Sequence, residues 1–374
     1  AKQGYPDYTI ASLVSFRFLG MLAIALPLGF YIKSRKLIPL FYFAGLAVPL
    51  STLLALLGVS FELPLLVYSS LLIGGAALSS FDIATLPFIL RNETVANHSS
   101  AIALNFSTFS LSIFITGLLS FLLPLLSEEL FTEGTMIGLF AISGLVSLLF
   151  ISRIDTNESI PAQVTKRLDL QQYDWGLIVK ALIPKVLLAT GAGLTIQFIN
   201  LFFYQVFGIE FNEFSLMGTF MAILVVMGVL LIPSVKERFG YGRSILSTQF
   251  AAAGVLVVLA TTQYYSFLDV ALYIAIICFV IRQPLMNMAN PITSELTMYY
   301  VGSRNQELVS ALNASIWAGS RFFSAQIFRL MRSQDFEFAT IFLTTAALYA
   351  LATTWYLFLV RDYHRRAQAG LVSG

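Results

Sequence analysis

Length, composition and charge exclude most classes of soluble protein. Of the 374 residues, 57% are hydrophobic and only 11% are charged, and the mean hydropathy is +0.81, whereas an average soluble domain has about a quarter of its residues charged. The net charge of +2 gives no argument for a nucleic-acid partner, and the one cysteine, Cys278, excludes a disulfide framework and a multi-cysteine metal site. We therefore expect an integral membrane protein that needs no cofactor and no metal.

Apolar stretches long enough to cross a bilayer recur along the whole chain. Backbone groups inside lipid must be paired within the protein, which favours helices, and the alternating pattern of a membrane β-barrel is not seen. Because a hydrocarbon core of about 30 Å needs roughly 20 apolar residues in a helix, the sequence predicts an all-α, polytopic membrane protein with about eleven spans. Their approximate limits are 9–32, 37–58, 63–90, 99–125, 131–153, 176–204, 212–233, 243–263, 267–293, 308–331 and 338–360.

The connections between these spans alternate in charge, which predicts their sidedness. Membrane proteins keep lysine and arginine in their cytoplasmic loops. One set of connections is basic and the other is acidic or neutral, apart from Arg329 and Arg332 near the outer end of the tenth span. The sequence therefore predicts a cytoplasmic C-terminus. The basic residues are Lys33, Arg35, Lys36, Arg91, Arg153, Lys166, Arg167, Lys236, Arg238, Arg243, Arg304, Arg361, Arg365 and Arg366.

A long polar connection at residues 154–175 divides the chain. It lies on the basic side, and we interpret it as a cytoplasmic linker between an N-terminal helix bundle, residues 1–153, and a C-terminal helix bundle, residues 176–374. The alternative to a solvated tether is a regulatory segment.

Two local matches indicate that the halves are a parallel repeat. Residues 27–40 resemble residues 230–246, and the run Ala-Leu-Asn at 103–105 resembles the same run at 311–313, at nearly the same separation along the chain. The span at 176–204 then lacks a counterpart in the first half. We expect about twelve spans in the complete protein, six in each half, with the first absent from this sequence. The alternative is a protein of about eleven spans whose N-terminus is outside.

Several segments together resemble the major facilitator superfamily over essentially the whole chain. Residues 29–36 are similar to the basic loop between the second and third helices of that family, and residues 233–243 are similar to the equivalent loop of its second half. Residues 191–208 are similar to the seventh helix of bacterial efflux-type members. Arg304 and the run at 311–313 are similar to the tenth-to-eleventh connection of the family.

The resemblance implies two six-helix bundles that rock about a central cavity and open it alternately to each side, as in bacterial efflux-type secondary transporters. The aspartate that usually follows the glycine of the first basic loop is replaced by Lys33 or deleted, which departs from the usual charge relay of the family. The residues expected at the cytoplasmic gate are Lys33, Arg35, Lys36, Arg91, Lys236, Arg238 and Arg243.

Charged residues inside spans are costly in lipid, and each is therefore a candidate for function. Asp82 is the carboxylate placed well inside a span, about two and a half turns from Arg91. It is either a proton carrier that loads and releases a proton as access alternates, or a permanently paired group that fixes helix packing. Arg17 lies near the outer third of its span. Its alternative roles are an ion pair at an outer gate, snorkelling to the headgroups and contact with the substrate.

Two arginines and two polar stripes are the candidates for solute binding. Arg282 and Arg321 are expected to form a bidentate anchor for a carboxylate or phosphate, because guanidinium stays charged when buried. Helical spacing places two sets of residues on stripes that suit a cavity wall or, alternatively, interhelical hydrogen bonding. The stripes are Asn313, Trp317, Arg321, Ser324 and Phe328 on the tenth span, and Gln197, Asn200 and Tyr204 on the sixth; Asn105 is the counterpart of Asn313 in the repeat.

Other polar residues in the spans have structural explanations. Lys180 and Lys185 lie near the cytoplasmic start of their span, where we expect their side chains to snorkel to the headgroups. Asn287 and Asn290 precede Pro291, and their amides are expected to pair with backbone groups that the proline leaves free.

The sequence argues against an enzyme and leaves three functions open. The histidines, His98 and His364, lie outside the spans, no P-loop motif is present, and the spans contain no residues for a Ser/His/carboxylate constellation. The favoured hypothesis is a secondary transporter of a small solute, anionic or amphiphilic and coupled to protons. The alternatives are a lipid or lysolipid flippase of the same fold, and a membrane-embedded enzyme or receptor. We expect a monomer in contact with membrane lipid, in a bacterial inner membrane.

Overall fold

The structure is a computed structural model that describes residues 5–32, 35–94, 98–154, 173–230, 232–302 and 305–368. Within these ranges the regular elements are helices, and no strand occurs. The predicted all-α class is confirmed. The helices are α1 (Asp7–Tyr31), α2 (Ile38–Ser60), α3 (Pro64–Asn92), α4 (His98–Leu126), α5 (Glu133–Leu145), α6 (Ser147–Ile151), α7 (Trp175–Thr195), α8 (Ile199–Phe207), α9 (Phe211–Leu230), α10 (Ile232–Thr261), α11 (Asp269–Val301), α12 (Gln306–Ser333) and α13 (Phe338–Gln368), with a 3₁₀ helix at Thr262–Tyr265.

Most of the helices are long and apolar enough to cross a membrane. Among the described residues, eight helical stretches meet that test, and α4 and α9 contribute the shorter apolar stretches Leu111–Leu126 and Phe211–Val225. Each of the predicted spans coincides in position with a helix or with two consecutive helices. The chain is therefore a polytopic integral membrane protein, as the composition predicted.

Local sequence explains where several helices begin and end. Proline occupies the first turn of α2 and of α3, where its missing N–H would have no partner within the helix. Asp174 caps α7, because its Oδ1 accepts a hydrogen bond of 3.1 Å from the backbone N–H of Leu177. Helix α8 ends at Gly208, whose φ of 71° is left-handed.

Two predicted boundaries differ from the structure. The predicted span 176–204 is broken, because α7 ends at Thr195 and α8 begins only at Ile199. The basic turn predicted at 233–243 is instead part of α10, which is interrupted by non-helical backbone at Gly240, with φ 70° and ψ 174°. Glycine adopts that conformation readily because it has no Cβ. The side chains of residues 232–237 lie outside the described part of the structure.

The contacts divide the chain into two compact units. The N-terminal unit is Thr9–Arg167, and the C-terminal unit is Leu168–Gly374 together with Ala1–Tyr8. In the N-terminal unit α2 packs against α3 and α5, and α1 approaches α3 at two glycines: a Cβ at Gly20 would lie 1.9 Å from the carbonyl oxygen of Leu72, and one at Gly75 would lie 1.9 Å from that of Arg17. Small residues allow such close backbone approach between membrane helices.

The C-terminal unit is built around α7. This helix packs against α11, α12 and α13, and α10 packs against α11 and α13. Buried phenylalanines fill the contacts between α8, α12 and α13; the rings of Phe198 and Phe328 stack at 3.7 Å, and those of Phe202 and Phe342 lie 5.0 Å apart. Because lipid is as apolar as these rings, close packing holds the helices together more than the hydrophobic effect does.

Candidate functional site

The C-terminal unit contains a cavity of about 320 Å³ beside the break between α7 and α8. Ile196, Gln197 and Phe198 form the turn between the helices, and the ring of Phe198 is fixed against Phe328 of α12. Irregular backbone at membrane depth is tolerated where it is buried in protein or lines a cavity. The residues of the turn, α8, α9 and α11 that line the cavity are mostly apolar, with Gln197, Asn200, Arg282 and Gln283 as the polar ones.

Arg282 of α11 brings a buried positive charge to this cavity. Its side chain is 1% exposed. One terminal nitrogen donates to the hydroxyl of Tyr349 at 2.7 Å and the other donates to Oε1 of Gln283 at 3.1 Å, but Nε has no hydrogen-bond partner in the part of the chain that the structure describes. No carboxylate of the described residues forms an ion pair with Arg282. Guanidinium remains charged in proteins, so the charge is left without a counter-ion.

Gln197 faces the same cavity with its hydrogen-bonding capacity unused. Its amide nitrogen and amide oxygen are both buried, and neither has a hydrogen-bond partner among the described residues. An unsatisfied buried polar group costs about 1–3 kcal/mol, so two such side chains in one cavity are best explained by a ligand that pairs with them. The atoms without a partner among the described residues are Nε of Arg282, and Nε2 and Oε1 of Gln197, and each terminal nitrogen of Arg282 has a second N–H to donate. Such a set fits an oxygen anion that also carries a hydrogen-bond donor.

The structure brings together three of the residues predicted to bind solute. Gln197, Asn200 and Arg282 line one cavity, although the predicted stripe on the sixth span is divided by the helix break. Tyr204 lies further along α8, half-buried, and is not part of this lining.

The predicted anchor of two arginines is not formed in this cavity. Arg321 of α12 is exposed, its guanidinium lies over the ring of Trp317 at 5.9 Å, and it does not line the cavity. The reason is that Arg321 projects from an exposed position of α12 and lies beside Trp317, so it does not reach the cavity that Arg282 lines.

Two of the other residues of the α12 stripe pack against neighbouring elements, and two are half-buried. Ser324 donates to the carbonyl oxygen of Thr190 at 2.7 Å and Phe328 stacks on Phe198, which is the interhelical bonding that the sequence left open as an alternative. Asn313 and Trp317 are half-buried, and the amide oxygen of Asn313 is buried without a partner. Asn105 of α4, the predicted counterpart in the other half, is also half-buried.

Arg17 and Asp82 belong to the N-terminal unit and interact electrostatically. Both side chains are exposed within that unit, so Asp82 is not enclosed by protein as the sequence led us to expect. Arg17 also borders a cavity of about 150 Å³ with Ser51, Thr52 and Ser70. Exposed charges in a membrane-spanning helix are expected to face water rather than lipid.

The predicted gate residues that the structure describes lie at the end of α3, between α1 and α2, and within α10 on either side of Gly240. Arg91, in the last turn of α3, donates to the carbonyl oxygens of Ile32 and of Arg35, the second at 3.1 Å, and so fixes the chain between α1 and α2. Arg35, Lys36, Arg238 and Arg243 are exposed. Lys33 and the side chain of Lys236 lie outside the described residues.

Lys185 differs from the expected snorkelling residue. Its side chain is 5% exposed, and Nζ lies 3.3 Å from the hydroxyls of Thr293 and Ser294 on α11. Lys180, in the second turn of α7, is exposed, which agrees with the prediction for that residue. The difference arises because Lys185 points at α11, which spacing along a single helix does not reveal.

Sequence reasoning also missed a network around Asp7. In the C-terminal unit, Arg332 donates from Nε to Asp7 at 2.7 Å, and Gln205 donates to the other carboxylate oxygen at 2.5 Å. The Asp7 side chain is 8% exposed. The placement of Asp7 in the first helical turn was the available signal, since an acidic residue is favoured there.

Replacing Asp7 with asparagine should destabilise the protein by about 1–3 kcal/mol, because the half-buried charge of Arg332 loses its ion-pair partner. The matched control is Asp335→Asn, at an exposed carboxylate in a left-handed conformation (φ 58°) that asparagine also tolerates. Thermal unfolding in detergent should show a lower midpoint for the first variant alone. Equal midpoints for both variants would mean that the Asp7 ion pair contributes little to the fold.

Comparison with known proteins finds a family that matches most of the chain. The family model described as Major Facilitator Superfamily matches residues 3–325. No curated protein sequence matches the chain.

Solved structures with the same fold include transporters of different solutes. A bacterial homologue of the iron transporter ferroportin, in an inward-facing state, has a TM-score of 0.73 at 13% identity and covers 95% of this chain and 90% of its own. The D-xylose-proton symporter has a TM-score of 0.71 at 13% identity, with coverage of 93% and 87%. The nucleoside transporter NupG has a TM-score of 0.67 at 12% identity, with coverage of 96% and 91%.

Proposed function

The chain belongs to the Major Facilitator Superfamily, and we propose that it moves a small anionic solute across the membrane by alternating access, with proton coupling. It is a transporter rather than an enzyme. The observation that carries the proposed solute class is the buried guanidinium of Arg282, which shares a cavity with the amide of Gln197; within the described ranges the guanidinium has no counter-ion and the amide has no partner.

Electrostatics favours an anion over a neutral or cationic solute at this cavity. Taking a charge out of water into a low-dielectric interior costs several kcal/mol, and an opposite charge with good hydrogen bonds recovers that cost. An oxygen anion accepts from Nε of Arg282 and from the amide of Gln197, and such charge-assisted bonds are about twice as strong as neutral ones. A cation in the same cavity meets the same positive charge and is repelled. The fold itself does not name the solute, since the same architecture serves several.

Proton coupling is proposed to involve Asp82. The carboxylate is exposed on α3 and interacts with Arg17, so protonation releases Arg17 from that interaction. One of the proteins of similar fold is named as a proton symporter, which supports coupling of this kind.

Asp82→Asn should abolish uptake driven by a pH gradient and retain exchange of solute for solute, because asparagine has no proton to release. The measurement is uptake of labelled solute into proteoliposomes with and without a pH gradient. Glu62→Gln, at an exposed carboxylate beyond the end of α2, is the control. Unchanged proton-driven uptake in Asp82→Asn would eliminate the carrier role.

The remaining parts of the assignment rest on the sequence. We propose two bundles, residues 1–153 and 176–374, joined by a cytoplasmic linker at 154–175. We further propose a monomer in a bacterial inner membrane with its C-terminus in the cytoplasm, because the basic connections lie on one side. Efflux is the proposed direction, by resemblance to efflux-type members.

Flux across a defined membrane tests the proposal directly. Purified protein is reconstituted into liposomes and offered a panel of labelled monocarboxylates, organic phosphates, organic cations and lysolipids. We expect uptake of at least one anion above protein-free liposomes, with no uptake of the cations. Uptake restricted to cations or neutral solutes would contradict the proposed solute class.

A lysolipid flippase is the second candidate, favoured by one feature of the C-terminal unit. A groove of about 460 Å³ between α9 and α11 is lined by apolar side chains alone, including Phe220, Leu224, Ile277 and Ile281, which are exposed. Phe214, Phe279 and Arg282 of the same two helices line the polar cavity instead. An amphiphile would use both surfaces, and the lysolipids of the panel distinguish this candidate from a water-soluble anion.

A further inference from the structure

Lys185 is a second buried cation of the C-terminal unit, and no part of the proposed solute site uses it. Its Nζ lies 3.3 Å from the hydroxyls of Thr293 and Ser294, and its side chain is 5% exposed. The hydroxyl of Thr293 already donates to the carbonyl oxygen of Asn290 at 3.0 Å, so it meets Lys185 as an acceptor. Two long bonds to neutral hydroxyls are weak compensation for an ammonium removed from water.

The surroundings of Lys185 supply no opposite charge. Among the described residues no ion pair joins Lys185 to a carboxylate; Glu295 follows Ser294 on α11. From α13, the phenol of Tyr356 faces Thr293. From α12, Ser324 donates to the carbonyl oxygen of Thr190 on α7. The hydrogen-bond partners of Lys185 are therefore neutral hydroxyls.

Lys185 is not part of the lining of the cavity at Arg282. The lining residue closest to Lys185 along the chain is Ile196, eleven residues further on, which corresponds to about 16 Å of helix rise. Lys185 lies instead in the packed contact between α7 and α11. A proton needs no cavity, so it fits a site of this kind.

Lysine suits this role, whereas arginine does not. The lone pair of the neutral Lys185 Nζ accepts a proton to form the ammonium, and the ammonium returns that proton when it becomes the neutral amine; both forms donate to the two hydroxyls. Arginine stays charged under all conditions relevant to proteins. We propose that Lys185, held by Thr293 and Ser294, is a proton-binding site of the C-terminal unit that is loaded and emptied during the transport cycle.

This proposal rests on the proposed transport function, and it deepens the coupling part of that function. In this scheme Arg282 of α11 binds the solute anion in the cavity, and Lys185 of α7 exchanges a proton outside the cavity. A proton site and an anion site in the same unit can be coupled, because a conformational change of that unit alters both sites together. Asp82 is then the proton-binding residue of the N-terminal unit.

The first experiment needs no substrate. Protein labelled with lysine carrying ¹⁵N at the ζ position is placed in lipid nanodiscs, and the ¹⁵N spectrum is recorded over a pH series in which the protein stays folded. The Lys185 signal is identified by its loss in Lys185→Arg and its retention in Lys180→Arg, an exposed lysine of the same helix. We expect the signal to change between the neutral-amine and ammonium positions. An ammonium signal at every pH would overturn the proposal.

The second experiment measures coupling in proteoliposomes. Lys185→Met and Lys185→Arg should both lose uptake driven by a pH gradient and keep solute-for-solute exchange, while Lys180→Met behaves like the wild type. If Lys185→Arg keeps proton-driven uptake, a fixed charge is sufficient and the proton role is wrong. If the wild-type protein moves none of the solutes, the proposed function fails, and the ¹⁵N titration still decides whether Lys185 binds a proton.

Discussion

Arg282→Gln should reduce transport of the anionic solute by about 30-fold to 1000-fold, the effect expected when one member of a buried charge pair is removed at a cost of about 2–4 kcal/mol. Glutamine keeps hydrogen-bonding capacity and has a shape compatible with α11, but it removes the buried positive charge. The loss should appear as weaker solute binding, because the charge contacts the solute before any conformational change. The measurement is the concentration dependence of uptake into proteoliposomes.

The stability of the variant separates binding from folding. Arg282 is a buried charge without a counter-ion, so its replacement by a neutral side chain should leave the unfolding midpoint in detergent unchanged or higher. Arg361→Gln, at an exposed arginine of α13, is the matched control and should transport like the wild type. Normal uptake by Arg282→Gln would show that the buried guanidinium has a purely structural role.

Gly75→Ala should destabilise the N-terminal unit by about 2–3 kcal/mol, at the upper end of the usual cost of overpacking. The added Cβ would lie 1.9 Å from the carbonyl oxygen of Arg17, which belongs to the backbone and cannot rotate away. Helices α1 and α3 would have to separate, and Arg17 would move relative to Asp82. Gly20→Ala, with the same separation from the carbonyl oxygen of Leu72, should behave alike.

Gly138→Ala on α5 of the same unit is the control for this prediction. Its nearest neighbour would be Cδ1 of Leu56 at 3.8 Å, an ordinary van der Waals contact, and alanine has a higher helix propensity than glycine. Unfolding of each variant is followed by a thermal shift assay in detergent. Equal midpoints for Gly75→Ala and Gly138→Ala would contradict the close α1–α3 contact.

The helical framework could be predicted because the bilayer imposes it. A segment of about 20 apolar residues has few alternatives in lipid, so the spans follow from hydropathy alone. The break at Ile196–Phe198 could not be predicted in the same way, because residues 194–207 contain no glycine or proline to mark it. The kink at Gly240 could not be predicted either, because glycine permits the non-helical conformation without requiring it.

The sequence predicted which residues belong to the candidate site better than it predicted how they are arranged. Buried or intramembrane polar groups stand out in an apolar chain, which identified Gln197, Asn200 and Arg282. Which neighbouring helix each side chain meets depends on tertiary packing. For that reason the sequence paired Arg282 with Arg321, whereas the structure pairs it with Tyr349 and Gln283, and the sequence treated Lys185 as a surface residue.

A counterflow assay is the most direct test of a carrier that presents one anion site alternately to the two sides. Proteoliposomes are loaded with a high concentration of an unlabelled anion that the transporter accepts and are diluted into a trace of the same anion in labelled form. Alternating access predicts a transient accumulation of label above equilibrium, which Arg282→Gln should lose. Simple equilibration of label without an overshoot, or entry no faster than into protein-free liposomes, would contradict the central claim.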